Sequence, residues 1–245
     1  MPLRILFQGT VPKHLDSPEE NEDAYSSLPE QGRIVVSDGA SESFDAKSWS
    51  RLLVEKFSSL EPSIGAYEEC IRAFDELHDP SGMSWSKAAA YERGSYGTLL
   101  IAQDRPDDHA VAITAIGDSF AVLSDGQTLL ELTPYSASAD FKQNPTLIAT
   151  RSNFNTLLES AEVIACKQVV WHYEASGYRI LLCMTDALGA WLLMHQEQND
   201  PSALERLLSI REVDELTELV ESERAKGTLR RDDSTLITAA LTSGS

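Results

Sequence analysis

Four short acidic motifs, each beside an apolar run, constrain this chain more than anything else in it. They are Asn21-Glu22-Asp23-Ala24, Ser37-Asp38-Gly39-Ala40, Thr185-Asp186-Ala187 and Arg231-Asp232-Asp233-Ser234. Ile34-Val35-Val36 leads into the second, Ile180-Leu181-Leu182-Cys183-Met184 leads into the third, and Leu236-Ile237-Thr238-Ala239-Ala240 follows the fourth. Short continuous apolar runs bounded by turn signals read as buried strands. A carboxylate at the end of such a strand is held in place yet can face a cleft. Several carboxylates converging on one point repel one another, by about 4 kcal/mol per pair at 4 Å and an effective dielectric constant near 20, unless cations sit between them. An all-oxygen donor set suits hard divalent ions such as Mg2+ or Mn2+ and not zinc. The pattern points to a centre built on two metal ions.

The chain of 245 residues is long enough to bury a substantial core, and its apolar fraction of 42% is that of an ordinary globular protein. Lysine and arginine total 20 against 39 acidic residues, a formal charge of −19. A field of that sign repels phosphate backbones and anionic lipid, so neither nucleic acid nor a membrane surface is an expected partner. Cys70, Cys166 and Cys183 are odd in number, far apart and set among apolar neighbours, which reads as buried free thiols and a reducing compartment. The N-terminus, Met1-Pro2-Leu3-Arg4-Ile5-Leu6-Phe7, is too short an apolar stretch for a secretory signal, and no run reaches membrane-spanning length. The expectation is a cytoplasmic protein.

No internal repeat or linker divides the chain, so one domain over residues 1–245 is expected. Strands are predicted over Leu3 to Gln8 and Ile34 to Ser37, and helices over about Lys47 to Leu60 and Gly65 to Leu77. Four apolar runs follow between Gly97 and Thr133, separated by Asp104-Arg105-Pro106-Asp107, Gly117-Asp118 and Asp125-Gly126. They read as an antiparallel meander, with Asp125-Gly126 a strong hairpin signal. Pro134 to about Ser160 reads as an irregular excursion with one helix near Phe154. Strands return at Val169 to Tyr173 and Arg179 to Met184, before helices near Leu188 to His195, Ala203 to Ile210 and Val213 to Lys226. Blocks of strands alternating with pairs of helices imply α+β layers and not a parallel βαβ repeat.

In order along the chain, Asn21-Glu22-Asp23-Ala24, Val36-Ser37-Asp38-Gly39, Gly97-Thr98-Leu99-Leu100, Ile116-Gly117-Asp118-Ser119-Phe120-Ala121, Met184-Thr185-Asp186 and Arg231-Asp232-Asp233-Ser234-Thr235 resemble the motifs of the protein phosphatase 2C family. These are the PPM-type metal-dependent serine/threonine phosphatases, and the sequence is similar to a divergent bacterial-style member. The resemblance implies a four-layer α-β-β-α sandwich of two antiparallel sheets flanked by helix pairs. It implies Mg2+ or Mn2+ as cofactor, two or three ions, and a phosphorylated protein as substrate. It also implies roles: Asp38 bridges two metals, the Gly39 carbonyl binds one, and Asp186 and Asp232 bind the other. Glu22 and Asp23 act through metal-bound waters, and Asp118 with Asp186 holds a possible third ion. The implied chemistry is attack on phosphoserine or phosphothreonine by a metal-activated water, with no protein nucleophile.

The sequence departs from that family in places. No arginine precedes Glu22 to grip a substrate phosphate; Lys13, beside His14, is the nearest cation and the candidate substitute, although lysine offers a point charge without a fork. Asp38-Gly39 continues as Ala40-Ser41, without a histidine to act as general acid, and Asp233 stands where an asparagine is usual. Two other readings stay open: a non-catalytic regulatory module with the same fold, and a hydrolase of small phosphoesters. The five histidines show no zinc-ligand spacing. Trp49, Trp85, Trp171 and Trp191 read as core or interface packing.

Overall fold

The structure, a computed structural model, describes residues 3–155, 160, 164–165, 167–174 and 178–241. Cys166 and the stretch immediately after Asn155 lie outside the described residues. Among the described residues, ten strands form two five-stranded antiparallel sheets. The first contains β1 (Arg4–Val11), β7 (Phe120–Ser124), β8 (Leu129–Thr133), β11 (Arg179–Met184) and β12 (Ser234–Leu241), in the order β1-β12-β11-β7-β8. The second contains β2 (Ala24–Leu28), β3 (Arg33–Ser37), β5 (Leu99–Arg105), β6 (Ala110–Ile116) and β10 (Gln168–His172), in the order β10-β6-β5-β3-β2. A small ladder pairs β4 (Tyr96–Gly97) with β9 (Ile148–Ala149).

Side-chain alternation shows how the layers stack. In β11, Leu181 and Cys183 join Val36, Leu100, Ile113 and Ile237 in a core drawn from both sheets. Ile180, Leu182 and Met184 turn the other way, onto Leu188, Trp191 and Leu192. Both faces of the strand are covered, which is why its sequence is an unbroken apolar run. Helices α4 (Asp186–Glu197), α5 (Ser202–Ser209) and α6 (Val213–Lys226) cover the first sheet. On the opposite side α1 (Ala46–Phe57) and α2 (Ile64–Glu76) lay Trp49, Leu53, Phe57, Tyr67 and Phe74 over Val35, Leu99 and Ile101 of the second sheet. Asp45 caps α1 through the Ser48 N–H and Ser63 caps α2 through the Ala66 N–H. The result is the expected α-β-β-α sandwich.

Several expectations need amending. The meander is two hairpins in different sheets: β5 pairs with β6, β7 pairs with β8, and β6 does not pair with β7. Gly117-Asp118 therefore carries the chain from one sheet to the other, with Gly117 at φ +89° packed against Thr98, where a side chain would collide. A third helix on the α1 side, α3 (Trp85–Arg93), escaped the periodicity because it buries little besides Tyr91. Trp85 is 88% exposed and so takes no part in the core. Among the described residues near Phe154 there is a 3-10 turn, Ser152–Phe154, and the rest of the helix expected there falls on residues outside the described ones. Cys70 and Cys183 are buried and free, and burial pushes each thiol up to about 12, as suits inert packing groups. No helix among the described residues is long and apolar enough to cross a membrane.

Candidate metal centre

Antiparallel pairing decides where the acidic motifs go. Ala24 pairs with Ser37, so Asp23 before β2 and Asp38 after β3 sit at one end of the second sheet. Met184 pairs with Leu236 on one side and Phe120 on the other, so Asp186, Asp232 and Asp118 gather at one end of the first sheet. Val11 pairs with Ser234, which brings Lys13 to the same end. The two ends meet. Asp38, Gly39, Asp118, Asp186 and Asp232 line one cavity of about 170 Å3, together with Thr98, Leu147 and Arg230. Glu22 and Lys13 line a larger neighbouring cleft of about 500 Å3, with His14, Lys47 and Asp233, and Ser41 borders both.

The backbone around Asp38 is pinned. Its N–H donates to Thr98 Oγ1 at 2.8 Å, and its carbonyl accepts the Thr98 N–H at 2.8 Å. Gly39 bridges to Gly97, and a Cβ on Gly39 would lie 2.7 Å from the Ala46 carbonyl oxygen, so no larger residue fits without moving backbone. Asp23 lies behind this turn, 7% exposed, where its Oδ2 accepts from Thr235 Oγ1 at 2.7 Å and Thr185 Oγ1 at 3.1 Å. Its Oδ1 has no partner. Glu22 accepts from Ser41 Oγ, and burial is the main reason its carboxyl is raised.

Electrostatics records the convergence. Burial raises the Asp38 carboxyl well above the usual carboxylate range, and Asp23, Asp186, Asp232 and Asp118 add repulsion in that order. Burial and then Asp233 and Asp186 act on Asp23 in the same direction, against its threonine bonds. Asp118 is pushed up to about 6, by burial first and the Asp186 charge second. For Asp186, burial outweighs the opposing Arg230 charge, and the carboxyl is raised.

Arg230 escaped the sequence reading here, and Asp233 was noted as a departure without its role. Arg230 donates to Asp186 Oδ2 and stands 3.0 Å from Asp232 Oδ2, so a guanidinium lies among the carboxylates. Its signal was present: Arg230-Arg231 directly precedes Asp232 in a chain that is otherwise strongly acidic. Asp233 faces away from the cavity. Its Oδ1 accepts the Lys13 N–H at 2.6 Å and its Oδ2 accepts the Glu22 N–H at 2.8 Å, so it staples the first acidic loop to the last. Lys13 Nζ is 3.9 Å from Asp232 Oδ1, which places its charge where cleft and cavity meet.

The donor set is all oxygen, and the buried Asp23 Oδ1 and Asp186 Oδ1 have no hydrogen-bond partner. Both features fit a hard divalent cation. As they stand, no three His, Cys, Asp or Glu among the described residues close around one point in a ligand set. Arg230 lies between two of the carboxylates such a set requires.

No protein-family model matches the chain, and no curated protein matches it by sequence. Solved structures do match. A bacterial serine phosphatase aligns with 100% of this chain and 99% of its own at 16% identity and a TM-score of 0.60. The serine/threonine phosphatase Stp1 from Staphylococcus aureus aligns at 15% identity and a TM-score of 0.60, covering 98% of this chain and 97% of its own. The Mycobacterium tuberculosis serine/threonine phosphatase PstP/Ppp aligns at 15% identity and a TM-score of 0.58, covering 97% and 99%. These likenesses show the fold. The α+β sandwich of the described residues is the fold of these phosphatase structures, which agrees with the fold that the resemblance of the motifs implies.

Proposed function

We propose that the chain is a single-domain, Mg2+- or Mn2+-dependent phosphoprotein phosphatase, a phosphoric monoester hydrolase acting on phosphoserine and phosphothreonine. One observation carries the reading: Asp23, Asp38, Asp118, Asp186 and Asp232, remote in sequence, repel one another at a shared end of both sheets, with buried oxygens left over. Such repulsion is costly to keep unless a cation is the intended occupant.

In this reading Asp38, the Gly39 carbonyl, Asp186 and Asp232 would hold two ions directly, with Asp38 the ligand common to both. Glu22 and Asp23 act through waters, and Asp118 with Asp186 serves a third ion. The ions supply a water acidic enough to attack phosphorus at neutral pH and a positive field for the phosphoryl oxygens. The chain supplies the rest. Thr98 holds the Asp38 backbone at fixed register through two hydrogen bonds. Thr185 and Thr235 orient Asp23. Lys13, at the meeting of cleft and cavity, attracts the substrate phosphate, while the larger cleft takes the polypeptide that bears it.

Hydrolysis of a phosphopeptide and of para-nitrophenyl phosphate with added Mn2+ tests the proposal. Turnover of the phosphopeptide is expected. Turnover of the small ester alone points to a small-phosphoester hydrolase. A second reading, a regulatory module without catalysis, is favoured by the Arg230 pairing with Asp186 and Asp232, and turnover of neither substrate would establish it.

A further inference from the structure

The turn Thr228–Asp233 joins the C-terminus of α6 to β12, with Leu229, 3% exposed, anchoring it in the core. Arg230 follows that anchor directly. Its backbone is therefore held at the rim while its side chain, 52% exposed, reaches to Asp186 Oδ2 and to Asp232 Oδ2. Asp118 and Asp38 line the same cavity and also feel its charge. Asp186 is 6% exposed, and its second oxygen, Oδ1, has no hydrogen-bond donor. One guanidinium thus satisfies half of a buried carboxylate and leaves the other half open.

We propose that Arg230 is a built-in counter-cation that competes with divalent ions for Asp186 and Asp232, so that loading the centre is coupled to release of this side chain. The inference rests on the functional reading above, in which those two carboxylates are metal ligands. The physical reason is charge. A monovalent guanidinium partly offsets the repulsion among the carboxylates and so steadies the metal-free protein. Yet the guanidinium is half exposed and carries a single charge, so a divalent ion at the same oxygens can displace it. The side chain can swing outward without disturbing the core, because the buried anchors of the turn are Leu229 and Asp233 and not Arg230 itself. Resting affinity for the metal is set lower than the oxygen donors alone would give.

Mn2+ titration of the full chain by calorimetry or by electron paramagnetic resonance tests this, with wild type, Arg230→Gln and Arg230→Lys compared and folding checked by circular dichroism. Arg230→Gln should bind Mn2+ about three- to tenfold more tightly than wild type, with a lower Tm in metal-free buffer and a larger rise in Tm on adding Mn2+. Arg230→Lys keeps the charge but carries it on a shorter side chain as a more strongly hydrated ammonium, in place of the one guanidinium nitrogen that meets both carboxylates, so it should fall between; it carries the test alone if the glutamine variant does not fold. Variants that bind Mn2+ no more tightly than wild type overturn the counter-cation role while leaving the functional reading intact. Absence of Mn2+ binding in wild type and both variants overturns the two together.

Discussion

Asp233→Ala should destabilise the protein by about 2–4 kcal/mol. Asp233 is 6% exposed, and each carboxylate oxygen accepts a backbone N–H: that of Lys13 at 2.6 Å and that of Glu22 at 2.8 Å. Hydrogen bonds to a charged group contribute about 1.5–3 kcal/mol each, so the pair contributes about 3–6 kcal/mol. Against this stands repulsion, since the Asp233 charge raises the carboxyls of Glu22 and Asp23, and removing it relieves both. The difference is the net loss stated above. Asp233→Asn should recover little, because an amide offers one acceptor oxygen and turns an NH2 toward the other N–H. Urea unfolding of the metal-free protein, extrapolated linearly, reads the loss directly. A change under about 1 kcal/mol for the alanine variant, with an unchanged m-value, would refute the staple, because losing two hydrogen bonds to a buried carboxylate and leaving two partly buried N–H groups without an acceptor costs more than that. The staple bridges 220 residues of sequence to Lys13 and 211 to Glu22, so its loss should also loosen the wall of the larger cleft.

Asp38→Asn should lower phosphatase turnover at least about a hundredfold, on the functional reading, while raising the metal-free Tm, since the removed charge is repelled by Asp23, Asp186, Asp232 and Asp118. A variant that keeps most of its turnover removes Asp38 from the bridging role. The metal-free protein should lose stability as pH rises from about 4 through 6. Asp118 sits at about 6 against an ordinary 3.8, and Asp23 and Asp38 are also raised, so the native state holds more protons than the unfolded chain across that window. The stabilisation is complete below the unfolded value and disappears as pH passes the folded one; a Tm that climbs from pH 4 to 7 without metal contradicts the convergence. Lys13→Ala should raise KM for a phosphopeptide several-fold with a smaller effect on kcat, and an unchanged KM takes Lys13 out of substrate binding.

The strands β3, β11 and β12 were readable because both of their faces are covered, which demands unbroken apolar runs such as Ile180 to Met184. The helices α1 and α6 were readable for a different reason: one carries a single buried stripe from Trp49 to Phe57, and the other ends at Gly227. α3 was not, since a helix that buries little besides Tyr91 leaves almost no periodic trace. Nor was the split of the supposed meander. Local turn signals at Gly117-Asp118 are the same whether the next strand pairs with its predecessor or joins the opposite sheet. Side-chain direction was equally hidden. Asp232 and Asp233 are chemically identical neighbours, yet one faces the cavity and the other grips the Lys13 and Glu22 amides.

Residue order alone was enough to place carboxylates at the ends of rigid strands and to make each strand apolar, because those properties belong to neighbours along the chain. Pairing register alone could bring five of those carboxylates to one end of two sheets, turn Asp233 into a staple and slip Arg230 between Asp186 and Asp232. Such contacts join groups as far as 220 residues apart, and their geometry depends on how the layers stack and not on any local pattern.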